Sequence, residues 1–168
     1  VLKIVKYGEP KLEQPSEPVT QFNGDLKRLI EDMFETMYAA RGVGLAAPQI
    51  GVNKRFFVMD CAGGKDPTQK YVMINPEILH TEGEIVAEEG CLSIPGIYSK
   101  VTRSQRVVAR GYDLNEKEYT LEVTELAARC ISHEVDHLDG KLYIFRVSPI
   151  KRDLIERKIK KLIKAGEW

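Results

Sequence analysis

The chain has 168 residues, a length at which a single domain buries about two thirds of the surface its unfolded form exposes. Its 43% hydrophobic and 30% charged content is that of an ordinary globular domain and excludes a disordered chain. The 25 basic residues balance 25 acidic ones, which speaks against nucleic-acid binding, and no apolar run approaches membrane-spanning length. Three cysteines, Cys61, Cys91 and Cys130, follow no framework spacing and fit a reducing compartment. With an opening VLKIVKYGEP too soon interrupted by charge for a signal peptide, the expectation is one cytoplasmic domain over 1–168.

Between Asn23 and Ala40 the residues Leu26, Leu29, Ile30, Met33, Phe34, Met37 and Tyr38 recur at helical intervals. This predicts an amphipathic helix with a core-facing stripe, closed by Gly42 as a left-handed cap. From Arg55 to Val123 the pattern changes to short strands, FFVMD, YVMINPEIL, RVVARGYDL and KEYTLEV, with a hairpin turn around Asn115. Thr124 is placed to cap a second helix, with Glu125 in its first turn, running to about Leu138 before Gly140. A third helix follows Pro149, with Ile150, Leu154, Ile155, Ile159, Leu162 and Ile163 on one face and a basic opposite face.

The second helix contains HEVDH, in which His133 and His137 stand four residues apart. That spacing puts two imidazoles on one helix face, one turn apart, where they can share an ion. Glu134 is turned by about 100° from His133, beside the ion rather than on it. A catalytic site of this kind uses three protein ligands. Cys130 lies seven residues from His137, about 10 Å along the helix at 1.5 Å per residue, too far to share the ion easily, and reads instead as a small hydrophobe lining the site. Tyr143 occupies the position at which one HExxH class has a third histidine, and Glu156, the candidate of another class, belongs to the outer face of the last helix. His80 and Cys61 stand alone in loop-like sequence. Cys91 remains, either as a ligand, with Gly90 removing bulk beside it, or as a buried structural thiol.

Three segments, GVGLAAPQ at 42–49, EGCLS at 89–93 and HEVDH at 133–137, resemble the three signature motifs of the peptide deformylase family, in the family's order. The resemblance extends over essentially the whole chain. It implies an α+β fold with antiparallel β-sheets packed around a central metal-binding HExxH helix, between an N-terminal and a C-terminal helix. It implies one divalent metal held by Cys91, His133 and His137, with water in the fourth position; Fe(2+) is the common physiological ion, and Zn(2+), Ni(2+) or Co(2+) are accepted. The activity implied is removal of the formyl group from the N-terminal formyl-methionine of nascent polypeptides, met at the ribosome. Glu134 would move the proton, and the oxyanion would be met by the metal, the Leu92 N–H and the Gln49 side-chain amide. Val43, Gly44, Leu45, Gly90, Leu126 and Cys130 are the expected surroundings of the substrate, whose backbone can add as an extra strand beside the Gly42 and Gly44 segment. Two positions depart from the family pattern: Ser132 stands where glutamine is common, and Tyr98 where some members carry a substrate-binding arginine. The competing readings are an HExxH endopeptidase, which does not take an upstream cysteine, and a non-catalytic relative, against which the presence of both Glu134 and Gln49 speaks.

Overall fold

The computed structural model describes residues 1–168. The first helix, α1 (Gly24–Ala39), begins at Asn23, whose side chain accepts a hydrogen bond from the Leu26 N–H. It buries Leu26, Ile30, Met33, Phe34 and Met37, each worth about 1.5–3 kcal/mol when fully removed from water. The left-handed residue after α1 is Arg41, at φ 58°, rather than the expected Gly42. Glycine at 42 answers a different need, because a Cβ there would come 2.7 Å from Leu92 Cδ1.

Five antiparallel strands form the main sheet: β1 (Gly44–Ala46), β2 (Phe56–Asp60), β3 (Lys70–Glu82), β6 (Arg106–Tyr112) and β7 (Glu118–Thr124), in the order β1-β2-β3-β6-β7. All five residues of β2 are buried, while β7 alternates exposed and half-buried positions as the period of its sequence requires. The turn between β6 and β7 is held by Asp113, whose Oδ1 accepts from the N–H groups of Asn115 and Lys117. A separate hairpin, β4 (Ile85–Cys91) and β5 (Ile94–Arg103), carries the EGCLS segment at its tip. Its two strands were not apparent from the sequence, because charged and small residues interrupt their alternation.

Helix α2 (Glu125–Leu138) carries HEVDH and packs against β1, β2, β6 and β7. Thr124 has the extended N-cap backbone but makes no side-chain cap bond, and Glu125 takes φ 56°. Helix α3 (Pro149–Lys164) starts at Ser148, which caps Lys151 N. The expected apolar stripe of α3 is only partly covered: Ile159 is buried, whereas Ile150, Leu154 and Ile163 are exposed. No helix is long and apolar enough to cross a membrane.

Candidate metal centre and substrate cavity

Three elements bring the site together. One turn of α2 separates His133 from His137, and their Nε2 atoms lie 3.2 Å apart. The β4–β5 hairpin supplies Cys91, whose Sγ is 3.3 Å from His137 Nε2. The register of that hairpin shifts between Glu89 and Cys91, a bulge at Gly90 that re-aims the cysteine toward α2. Gly90 has no room for a side chain, since a Cβ would sit 2.5 Å from the Tyr98 ring. Downstream of the bulge, the Leu92 N–H donates to no protein acceptor.

One sulfur and two imidazole nitrogens lie within 4.8 Å of one another. Donors about 2.1 Å from a common tetrahedral ion are separated by roughly 3.4 Å, so the donor set fits a divalent metal in chemistry and spacing. Burial alone would lower the His133 pKa, but the Glu134 carboxylate, Cys91 and Glu89 together raise it well above the usual imidazole range. His137 is shifted the opposite way, by burial and by the neighbouring His133 charge.

His133 is oriented by Glu89, whose Oε2 lies 2.7 Å from Nδ1, leaving Nε2 for the cluster. Arg103 donates to Glu89 through Nε and through a terminal nitrogen at 2.7 Å, and Arg129 donates to Glu89 Oε1 at 2.8 Å. Arg103 also reaches Asp136 at 2.7 Å, and Asp136 in turn accepts from Arg146. These buried charges join α2 to the hairpin. Burial would raise the Glu89 pKa, but hydrogen bonds from His133 and Arg103 hold it well below the usual carboxylate range.

Glu134 stands beside the cluster, buried, with Oε1 unpartnered by any protein group. Burial pushes its pKa up to about 7. Gly44 lets it come close: a Cβ there would meet Glu134 Oε2 at 2.4 Å and Cys130 Sγ at 2.7 Å. Gln49 lies on a short 3-10 turn after β1. Its Oε1 accepts from Ala46 N at 2.9 Å, which turns Nε2 toward Ser93 Oγ at 3.1 Å and Cys91 Sγ at 3.6 Å.

A cavity of about 510 Å³ opens onto these groups. Val43, Gly44, Gln49, Gly90, Cys91, Leu92, Leu126, Cys130, His133 and Glu134, all expected at the site, line it. Leu45 is the exception. Its side chain is fully buried in the core with Met33, Met37 and Phe56, so it builds no cavity wall. His137 is completely covered behind the lining. Tyr98, an exposed residue, lines the same cavity, as do Arg41 and Arg129. His80 pairs with Glu82 at the surface, Glu156 meets Arg152 and Tyr7, and Tyr143 is buried with its hydroxyl on the Ile97 carbonyl, so none of the three joins the cluster. Sequence reasoning assigned no role to Glu89 or Asp136, although both lie inside the quoted motifs, and it missed Arg103, Arg129 and Ser93. The available signal was a pair of acidic residues beside proposed ligands, since buried carboxylates require cationic partners.

An α+β chain with a buried HExxH helix, a thiol from a hairpin tip and a cavity reaching both has the anatomy of a metal-dependent hydrolase. The family model described as "Polypeptide deformylase" matches residues 1–153. A curated peptide deformylase from Acidobacterium capsulatum is 53% identical over 165 residues, covering 98% of this chain and 97% of that protein. One from Thermodesulfovibrio yellowstonii is 49% identical over 160 residues, covering 95% and 97%. Among solved structures, a peptide deformylase from Legionella pneumophila superposes with a TM-score of 0.92 at 43% identity, covering 99% of this chain and 97% of that one. One from Thermus thermophilus gives 0.89 at 42%, covering 98% and 96%. The chain belongs to the polypeptide deformylase family, hydrolases that remove the N-terminal formyl group from nascent polypeptides.

Proposed function

We propose that the chain is one catalytic domain over 1–168, built around α2, in which Cys91, His133 and His137 hold a single divalent ion. Fe(2+) is the physiological ion by family resemblance, and Zn(2+), Ni(2+) or Co(2+) can replace it, since thiolate and imidazole suit several of these ions. The observation carrying this reading is the convergence of the three donor atoms beside a buried carboxylate with an unpartnered oxygen.

When bound, the ion supplies the Lewis acidity that makes water a competent nucleophile near neutral pH. The Glu134 carboxylate, buried beside the cluster with Oε1 free of protein partners, accepts the proton of the attacking water and gives it back to the departing amine. As the C–N bond breaks, formate and a free methionine amine result. The Leu92 N–H and Gln49 Nε2 donate to the formyl oxygen as it gains charge, and Gln49 is held in place by Ala46 and Ser93 before the reaction starts.

The substrate is the N-formyl-methionyl end of a nascent polypeptide, met in the cytoplasm at the ribosome, without membrane insertion or direct nucleic-acid contact. Its backbone lies against β1, an edge strand, with Val43, Gly44 and the Leu45 backbone on one side and Gly90 on the other. Leu126 and Cys130 flank the methionine side chain. The test is formate release from formyl-Met-Ala-Ser by iron-loaded and zinc-loaded protein. Turnover is expected with both, faster with iron, and iron-dependent activity should decay in air while a nickel form persists. Absence of formate with any of these ions would refute the reading.

A further inference from the structure

Every other arginine of the chain pairs with a carboxylate, at the surface as well as in the buried network. Arg41 meets none, although it is exposed and lines the cavity. Its backbone does not call for an arginine. A φ of 58° is the left-handed conformation that favours glycine or asparagine after a helix, and a larger side chain there is disfavoured. That backbone is nevertheless fixed, because the Arg41 N–H donates to the Tyr38 carbonyl at 3.0 Å and the Gly42 N–H to the Met37 carbonyl at 2.9 Å. The arginine is held at a defined place with its charge left open.

The lining of the cavity divides by exposure. Cys130, His133 and Glu134 are buried and form its floor, whereas Arg41, Glu88, Pro95 and Tyr98 are exposed and form its mouth. Gly44 touches the floor at Glu134, and from there the chain runs outward through Val43 and Gly42 to Arg41, at most about 10 Å at 3.3–3.6 Å per residue. An extended peptide with its reacting carbonyl at Glu134 covers about the same distance by its third residue. Among the other charged side chains of the lining, Glu89 is paired with Arg129 and His133, Glu134 belongs to the floor, and Glu88 stands opposite Lys100 in the hairpin register.

We propose that Arg41 is a specificity-determining residue that selects nascent chains with an acidic side chain at the third position, two residues after the formyl-methionine. The proposal rests on the deformylase reading, since it takes the peptide to leave the floor along the segment that precedes β1. A carboxylate at the third position supplies the counter-charge that Arg41 lacks, and a lysine there meets a like charge. The pair lies at the mouth, away from the bond that breaks, so it favours bound substrate and transition state alike and acts on KM rather than kcat. Being exposed, it weakens with salt.

The experiment measures kcat and KM for formyl-Met-Ala-Glu, formyl-Met-Ala-Gln and formyl-Met-Ala-Lys on nickel-loaded parent, Arg41→Gln, Arg41→Glu and Arg41→Lys. Each peptide is a C-terminal amide, so that no terminal carboxylate competes for Arg41. In the parent, kcat/KM should be about threefold higher for the glutamate peptide than for the glutamine peptide, and lower by a similar factor for the lysine peptide, which is the range exposed ion pairs give. Both ratios should arise in KM and shrink toward one at about 1 M ionic strength, where charges are screened beyond about 3 Å. Arg41→Gln should bring the ratios close to one, Arg41→Glu should reverse their order, and Arg41→Lys should preserve it. Equal values for the three peptides in the parent, a preference that survives in Arg41→Gln, or one expressed in kcat alone would overturn the proposal. If the parent releases no formate from any of the peptides, the deformylase reading fails, and chemical-shift titration of the parent with the amides of Met-Ala-Glu and Met-Ala-Lys still decides the preference. Tighter binding of the first supports it, and equal or absent binding overturns it.

Discussion

The two sides of α2 treat their polar atoms differently. Toward the β4–β5 hairpin, Glu89, Arg103, Arg129 and Asp136 form a buried network in which every carboxylate meets a guanidinium. Toward β1, Glu134 lies against Gly44 with its buried Oε1 without a protein partner. Both sides contain charge removed from water, which is costly wherever it is not compensated. On the first side the compensation lies within the chain, and the result is a scaffold. On the second the chain leaves it incomplete, and that is where the proposed ion and substrate would complete it. The two sides meet at His133, with Nδ1 in the network and Nε2 in the cluster.

This contrast gives graded expectations. Replacing Glu134 by Gln keeps the shape that fits against Gly44 but removes the proton acceptor. The kcat should fall by about 10²–10⁴-fold with metal content unchanged, as measured by steady-state kinetics on protein of known loading. A near-normal kcat would take Glu134 out of the mechanism. Replacing Glu89 by Gln attacks the scaffold side instead. Arg103 and Arg129 lose a buried counter-charge, which costs about 3–5 kcal/mol of stability. His133 loses its orienting partner, and metal affinity should drop by about 10–100-fold in a chelator competition. If stability fell while affinity held, Glu89 would be part of the scaffold alone.

The same carboxylate sets an acid limit. Its folded-state pKa is depressed, so its contribution is present above the unfolded value of about 4.3 and is lost as pH falls below it. Urea unfolding of the parent should therefore show stability declining below about pH 4.5, and the Glu89→Gln variant should follow a flatter profile. Parallel profiles would contradict the assignment. The smallest effect is expected at Arg146, whose side chain is 46% exposed at the rim of the network. Arg146→Ala should cost no more than about 1 kcal/mol and leave metal content intact.

The sequence made one half of this contrast legible and hid most of the other. HEVDH on a helix is a local pattern, because it depends on residues a few positions apart, whereas the roles of Cys91 and Gln49 followed from the resemblance of three motifs to one family. The helices were readable for the same reason, their apolar positions repeating at a period of 3.6. The ionic network is non-local: Arg103 is 14 residues from Glu89 and 33 from Asp136, and nothing in its own neighbourhood marks it as buried. The hairpin went unseen because charged and small residues interrupt the alternation along both of its strands. Leu45 was among the expected surroundings of the substrate, but successive residues of a strand face opposite ways, and its side chain lies in the core. The α3 stripe erred in the other direction, since helical periodicity identifies an apolar face without saying how much of it finds a partner; Leu154 remains 60% exposed.

The central claim is that Cys91, His133 and His137 hold one ion and that Cys130, although on the same helix as both histidines, does not. Metal content of the parent, Cys91→Ala and Cys130→Ala, purified side by side and measured by elemental mass spectrometry, tests it most directly. The account predicts one ion per chain in the parent and in Cys130→Ala and almost none in Cys91→Ala. A metal-free Cys130→Ala beside a fully loaded Cys91→Ala would contradict it.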